Sequence, residues 1–295
     1  MATLRKAVGR LPKIVSDPAR QVHRYLKIAS SRRRDLPGVL LIGAEKAGST
    51  SLYRWLISHP WIARPERKEI RYLTGPENDL GLLWYKSHFP IRRFVRGANG
   101  ERRASITLDA TPSYLFDPWS PARAQSVLPE AKIIVLLRNP IHRAWSHYLH
   151  WLRMGWESEP FEEAIYRPEE LIDALRLCLS LRNENPRAVT EAFGRPCYLA
   201  RSIYADQLAR WFESFDRNRV LVVKSEEFFS EPEVAYKRIT NFLELPAFRP
   251  TGVSAMNRRP DRSVLNESLI PQLAEYFAPH NLRLSDLLGT LWTWN

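Results

Sequence analysis

Cysteine is nearly missing from this chain of 295 residues: Cys178 and Cys197 are the only two. Neither has Cys or His neighbours at zinc spacing, so a structural zinc module and a disulfide-dense scaffold are both excluded. The pair could close one loop, but in a reducing compartment it reads as two reduced thiols. Long apolar runs are missing too. The longest, VLLIGA and IIVLL, are strand-sized and far short of the roughly 18 residues that a membrane-spanning helix needs. No signal-peptide apolar region stands near the N-terminus. There is no internal repeat and no low-complexity segment, which excludes repeat architectures and disordered tracts. Together these absences predict a cytosolic globular protein.

Acidic residues are the scarcer charge, 32 against 44 Lys and Arg, for a net charge of +12. The excess is uneven. Residues 1–34 hold ten Lys or Arg and a single acid, Asp17, so nine of the twelve positive charges sit there. The rest of the chain is close to balance, and its basic pI says little about its partner. The arm could meet nucleic acid or an anionic membrane surface peripherally; it could equally be a solvated, loosely helical extension. No motif in it specifies a nucleic acid. We divide the chain into a basic N-terminal extension, 1–36, and one domain, 37–295. A hydrophobic content of 44% and ten tryptophans suffice for a substantial core.

Strands and helices alternate along that domain. Val39–Ile42 reads as a buried strand and Gly48–Ser58 as the helix after it. Residues 60–103 are loop-rich with short helices. Ala104–Leu108 is a second strand and Pro121–Leu128 a short helix. Ile133–Leu137, five apolar and mostly branched residues, is the clearest strand, and Pro140 suits the first turn of a helix toward Trp151. Residues 160–215 read as mostly helical, broken near Pro186 and Pro196. Val220–Val223 is another strand, a helix starts near Glu231 to Glu233, and the last helix covers about 267–278. Such alternation predicts an α/β fold: a P-loop-like central parallel sheet with helices on both faces.

GAEKAGST (43–50) follows the first strand. A nucleotide triphosphatase loop reads G-x-x-x-x-G-K-[ST]. Gly43 and Gly48 keep that spacing, but the lysine after the second glycine is missing. Ser49 stands there, and the lysine is upstream at Lys46. The turn still offers backbone N–H groups, about half a positive charge at the helix N-terminus, and the hydroxyls of Ser49, Thr50 and Ser51. From the loop, Lys46 approaches a short anion from the side. It suits a leaving oxygen better than a terminal phosphate. A plain strand-turn-helix with small residues for packing is the alternative, disfavoured by the coincidence of two glycines, a lysine and three hydroxyls.

IIVLLRNPIHRAWSHY (133–148) is again strand, turn and helix. Arg138 sits at the carboxyl end of the strand, where open α/β sheets bind ligands, and Ser146 lies in the helix behind it. An arginine and a hydroxyl make a clamp for an isolated phosphate monoester. Two anion sites imply a nucleotide with phosphates at both ends of its ribose. Arg138 as a structural ion-pair partner is the disfavoured alternative.

With both motifs on the page, the sequence resembles sulfotransferases that use 3′-phosphoadenosine 5′-phosphosulfate (PAPS). It is most similar to the branch with heparan sulfate N- and O-sulfotransferase domains and their bacterial relatives. GAEKAGSTSL matches that family's 5′-phosphosulfate loop, which assigns Lys46, Ala47, Gly48, Ser49, Thr50 and Ser51 to the donor. LLRNPIHRAWSHY matches the 3′-phosphate motif, which assigns Arg138 and Ser146. LISHP (56–60), KEIRYL (68–73), LDATPSYL (108–115), SIYADQLARWFESF (202–215) and the tail from Arg258 to Leu288 follow the pattern, so the resemblance covers about 37–294. It implies metal-free sulfuryl transfer. Lys46 would meet the oxygen bridging phosphate and sulfuryl group, and Glu69, in KEIRYL, would be the general base. In a stretch as charged as RPERKEIR (64–71), Glu69 also reads as a surface acid paired with Lys68 or Arg71.

Histidines compete for the base, since some cytosolic members use one. His59 closes the loop helix and looks structural, His142 and His147 lie in the 3′-phosphate helix, and His88 and His150 have no motif around them. Departures from the family fall on the acceptor side. A lysine found in some members is replaced by Ala110, beside Asp109; a histidine by Arg71; and the C-terminal cysteine pair is absent. Arg258 and Arg259 are donor contacts by loose analogy with a basic C-terminal loop.

The acceptor walls, 74–103 and 156–198, carry no readable motif. Trp84, Trp119, Trp151 and Trp156 could stack on a sugar, and Arg92, Arg93, Arg96, Arg102 and Arg103 could hold an anionic glycan; packing and a solvated face are the plainer readings. The leading expectation is PAPS-dependent sulfation of a carbohydrate or glycolipid hydroxyl or amine. A P-loop nucleotide phosphotransferase and a non-catalytic protein acting through its basic arm stay open. Ser49 counts against the first, and deletion of residues 1–34 tests the second.

Overall fold

The computed structural model describes residues 18–96, 100, 102–166, 197–249 and 265–294. In chain order the strands are β1 (Val39–Gly43), β2 (Ile62–Ala63), β3 (Phe94–Arg96), β4 (Arg102–Ala104), β5 (Ile106–Ala110), β6 (Lys132–Leu137) and β7 (Val220–Lys224). Five of them form one parallel sheet in the order β2-β5-β1-β6-β7. Every residue of β1 is buried, as is every residue of β6 after Lys132. Successive strand residues point to opposite faces, so both faces are covered, as the continuous apolar runs predict.

The covering helices are α1 (Pro18–Ala29), α2 (Ser49–Ser58), α3 (Leu82–Ser87), α4 (Ser120–Val127), α5 (Pro140–Arg153), α6 (Phe161–Ala164), α7 (Tyr204–Ser214), α8 (Ser225–Ser230), α9 (Pro232–Phe242) and α10 (Leu269–Leu288). A main core surrounds the sheet, and a second cluster joins α5, α6 and α10 through Tyr148, Phe161, Tyr198 and Phe277. The carboxyl ends of β1, β5, β6 and β7 open on one edge. The segments after Gly43, Ala110, Leu137 and Lys224 therefore meet there.

Four elements differ from the sequence expectation. Ala104 belongs to an antiparallel hairpin, paired with Phe94, so the second long strand starts later and runs to Ala110 opposite Leu41. A short helix, α8, follows β7 directly. The last helix continues through Pro279 to Leu288. A proline removes one helical hydrogen bond, but burial of Phe277 and Leu284 on either side holds the helix together.

The basic stretch before β1 is engaged from residue 24 onward. Arg24 Nη1 lies 3.0 Å from His88 Nε2 and donates to Ser87 Oγ at 3.2 Å. Lys27 pairs with Glu66 at 3.1 Å, and Arg34 donates to the Phe89 carbonyl. These cations hold α1 against α3 and the segment before Glu69. Among the described residues no helix is long and apolar enough to cross a membrane.

Candidate active site

The loop between β1 and α2 turns tightly. Ala47 N–H donates to Ala44 O at 3.2 Å, and Ala44 N–H to Leu136 O of β6 at 2.6 Å. Gly48 caps α2 at φ +97°, and a Cβ there would lie 2.7 Å from Phe229 Cζ. Glycine is required by the left-handed backbone, and its bare Cα lets the Phe229 ring of α8 lie close. Ser49, Thr50 and Ser51 form the first turn of α2; the Ser51 N–H donates to Gly48 O at 3.0 Å, and the helix start carries partial positive charge. Ser225 Oγ donates to Ala47 O at 2.8 Å and steadies the turn from α8.

Lys46 is half-buried at φ +68°, a strained region for a non-glycine residue that clusters at functional sites. Burial lowers its pKa to about 8. Glu45 and Glu69 pull the other way, and Arg153 and Arg143 add to the lowering. The ammonium is thus held mainly out of water, between two acids and two arginines.

The second motif reaches the first. Arg138 Nη1 donates to Lys46 O at 3.1 Å, and burial lowers the pKa of its guanidinium. Tyr204 O–H, from α7, donates to Arg138 O at 2.8 Å. Asn139 caps α5, its side chain accepting from the Ile141 and His142 N–H groups at 3.0 and 3.3 Å. Its own N–H donates to Glu226 of α8 at 2.8 Å. Ser146 stands half-buried two turns into α5. Arg258 and Arg259 lie outside the described residues, as does Cys178; Cys197 is buried.

Glu69 stands on a turn with φ +62°, as does Arg71. Its carboxylate bridges Lys68 Nζ at 2.9 Å and Arg71 Nη2 at 3.3 Å. Burial would raise its pKa, but the two cations outweigh burial and hold it below the ordinary glutamate value. The surface-pair geometry expected from RPERKEIR is therefore present, and so is the proximity to Lys46 through electrostatics. The N–H of Glu69 donates to Ala110 O at 3.1 Å, which puts the lysine-free position directly beneath the turn.

His88 is built into the fold. It is buried, with Nδ1 at 3.0 Å from Trp84 O and Nε2 facing Arg24, and burial lowers its pKa to about 4. His59 lies 3.0 Å from Pro246 O and accepts the Trp61 N–H at 3.1 Å, the structural role expected. His147 is buried, and burial pushes its pKa well down. His150, which had no motif around it, is the histidine that feels both Lys46 and Glu69. Its signal was its place one helical turn after Ser146 on α5. Ser225, Glu226, Phe229 and Tyr204 were also missed; they come from segments without a phosphate-loop signature. Of the tryptophans, Trp84 is buried and Trp156, three residues beyond α5, is 60% exposed.

The sulfotransferase domain family matches residues 36–259. The chain is 27% identical over 221 residues to the bifunctional heparan sulfate N-deacetylase/N-sulfotransferase 1 of Caenorhabditis elegans, covering 73% of this chain and 23% of that protein. It thus spans about a quarter of that relative's length. Against human heparan sulfate glucosamine 3-O-sulfotransferase 6 the identity is 25%, covering 95% of this chain and 81% of that protein. The crystal structure of a sulfotransferase from Alicyclobacillus acidocaldarius superposes with a TM-score of 0.63 at 27% identity, covering 87% of this chain and 97% of that one.

Proposed function

We propose that this chain, which belongs to the sulfotransferase domain family, transfers a sulfuryl group from PAPS to a hydroxyl or amine of a carbohydrate or glycolipid by metal-free in-line displacement. The chain is an enzyme, a transferase. The observation that carries the finer reading is the contact between its two anion-binding segments, Arg138 on the carbonyl of Lys46. A nucleotide bearing phosphate on both sides of its ribose needs two cationic sites at a fixed separation, and this contact ties them together.

The residues present fit that donor. Gly48 leaves bare backbone where a Cβ would meet Phe229, the first turn of α2 offers N–H groups and hydroxyls, and Arg138 and Ser146 supply a monoester clamp. Arg258 and Arg259 remain donor contacts by analogy. PAPS brings a phosphosulfate anhydride, so charge grows on its bridging oxygen as transfer proceeds. Lys46 neutralises that charge, an interaction stronger in the transition state than before it. Glu69, ionised at neutral pH because Lys68 and Arg71 flank it, accepts the proton of the acceptor hydroxyl or amine.

A carbohydrate acceptor is supported by the relatives, which are named for heparan sulfate, and by the exposed ring of Trp156, which can cover the apolar face of a sugar. The reading keeps the enzyme cytosolic, with no specific nucleic acid partner, and leaves the basic arm (1–34) to touch an anionic membrane.

A thermal-shift comparison of PAP (the desulfated donor), ATP, and ATP with magnesium tests the donor. Selective stabilisation by PAP without metal is expected; stronger stabilisation by ATP with magnesium would favour a phosphotransferase. A glycan array with labelled PAPS then tests the acceptor, and labelling only of non-carbohydrate acceptors would overturn that part. Truncation to Pro18 keeps the contacts of Arg24, Lys27 and Arg34, so it should leave transfer intact; loss of all function would favour action through the arm.

A further inference from the structure

Asp109 is fully buried. Its Oδ2 accepts from the hydroxyls of Tyr85 at 2.9 Å and Tyr114 at 2.8 Å, and its Oδ1 from the Thr111 hydroxyl at 2.7 Å. The N–H of Ile70 donates to the same carboxyl group. Oriented as donors, all four are satisfied at once by an ionised carboxylate, and they work against the burial that raises its pKa.

The hydroxyls pass the arrangement on. With their protons committed to Asp109, Thr111 and Tyr114 turn lone pairs the other way. There Thr111 Oγ1 accepts the N–H of Arg71 at 3.4 Å, and the Tyr114 oxygen accepts the N–H of Leu73 at 3.3 Å. Ala110 O takes the N–H of Glu69 at 3.1 Å. Four amides of the turn, those of residues 69, 70, 71 and 73, therefore end on the 109–114 segment. Glu69 and Arg71 both stand at φ +62°, a backbone that non-glycine residues keep only where the surroundings over-determine it.

We propose that Asp109 is a positioning residue for the transfer reaction: it fixes the direction of the Thr111 and Tyr114 hydroxyls, through them holds the backbone of residues 69–73, and so sets where the Glu69 carboxylate stands. The inference rests on the reading of Glu69 as base. It explains why an acid is buried at the end of β5: its partners among the described residues are hydroxyls and an amide. Glu69 in this placement pairs with Lys68 and Arg71 from its own turn, and it is coupled electrostatically to Lys46 in the loop after β1 and to His150 on α5.

Asp109→Asn preserves shape but brings two N–H donors, so at least one hydroxyl must reorient or face a donor, which loosens the lone-pair geometry that holds the turn's amides. Three measurements on the full chain with PAP bound test this. Hydrogen exchange of amides 69–73 should speed up selectively. Turnover of labelled PAPS with the best glycan from the array, counted per PAP-binding site, should fall about 10- to 100-fold, the cost of a misplaced group, with PAP affinity unchanged. The acidic limb of the pH–turnover profile should move to higher pH, because Glu69 loses the fixed company of Lys68 and Arg71. A merely structural Asp109 predicts fewer active sites with the limb unmoved. Thr111→Val and Tyr114→Phe leave the carboxylate in place and remove one relay each; they should show the same shifts in smaller measure, with Thr111→Ser restoring the first. If Asp109→Asn does not fold, unmoved limbs in both relay variants overturn the inference. Full turnover and an unmoved limb in Asp109→Asn, while Glu69→Gln is inactive, overturn it alone. Full turnover in Glu69→Gln overturns the base reading and this inference with it.

Discussion

The guanidinium of Arg138 donates to the backbone oxygen of Lys46 at 3.1 Å, across 92 positions of sequence. The residue proposed to clamp one end of the donor thus also steadies the loop that receives the other. Removing it should do more than delete one charged contact.

Arg138→Ala should weaken PAP binding by about 1.5–3 kcal/mol, the range for a charged hydrogen-bonded contact. Calorimetric titration with PAP and with an analogue lacking the 3′-phosphate separates the two roles. A large loss for PAP and a small one for the analogue marks the clamp. Equal losses would mean that Arg138 acts only by holding the Lys46 loop.

Lys46→Ala should lower turnover far more than donor affinity. The wild-type profile of kcat/KM should fall as pH rises through about 8, where burial places the Lys46 pKa, since the charged form does the work. The kcat profile should bend at higher pH, because a bound anion favours the ammonium. Lys46→Arg keeps its charge throughout, so its alkaline limb should vanish; persistence of the limb would assign it to another group.

Glu69→Gln should reduce turnover about 10²–10⁴-fold, with PAP binding and melting temperature nearly unmoved. The folded pKa of Glu69 is depressed, so its contribution to stability is present above the unfolded value and disappears as pH falls through the folded one. Its side chain is 38% exposed, so that contribution is at most about 1 kcal/mol. The acidic limb of turnover should lie below the ordinary glutamate range. Near-normal transfer by the variant would return attention to His150, since His88 is committed to Trp84 and Arg24.

Gly48→Ala should cost about 1–3 kcal/mol through its left-handed backbone alone, and PAP binding should drop with it. The ring of Phe229, 41% exposed, can swing aside to relieve the 2.7 Å contact. Adding Phe229→Ala should therefore recover little of the stability measured by thermal melting. Full recovery would show that the clash, not the backbone, governs this position.

Much of this was legible in the chain itself. VLLI and IIVLL read as strands buried on both faces, because they are short, rich in branched residues and uninterrupted by polar ones. GAEKAGST and the segment from Arg138 to Ser146 carry their chemistry in local spacing, since both lie where a strand gives way to a helix. Glu69 was found by resemblance rather than by pattern; in RPERKEIR the charges around it look the same whether the acid works or merely pairs.

What the sequence by itself determined was the buried parallel strands and the two strand-turn-helix motifs, because those follow from contiguous residues and their periodicity; the family was legible through resemblance to those motifs. Only the tertiary structure decided what surrounds them. Arg138 meets Lys46 because β1 and β6 are neighbours in the sheet. Asp109 can hold the turn of Glu69 because β5 runs on to Ala110 beside Leu41, and His88 is removed from the chemistry because α1 lays Arg24 against it. Each relation joins segments far apart in the chain, and no local propensity encodes a distance across the fold.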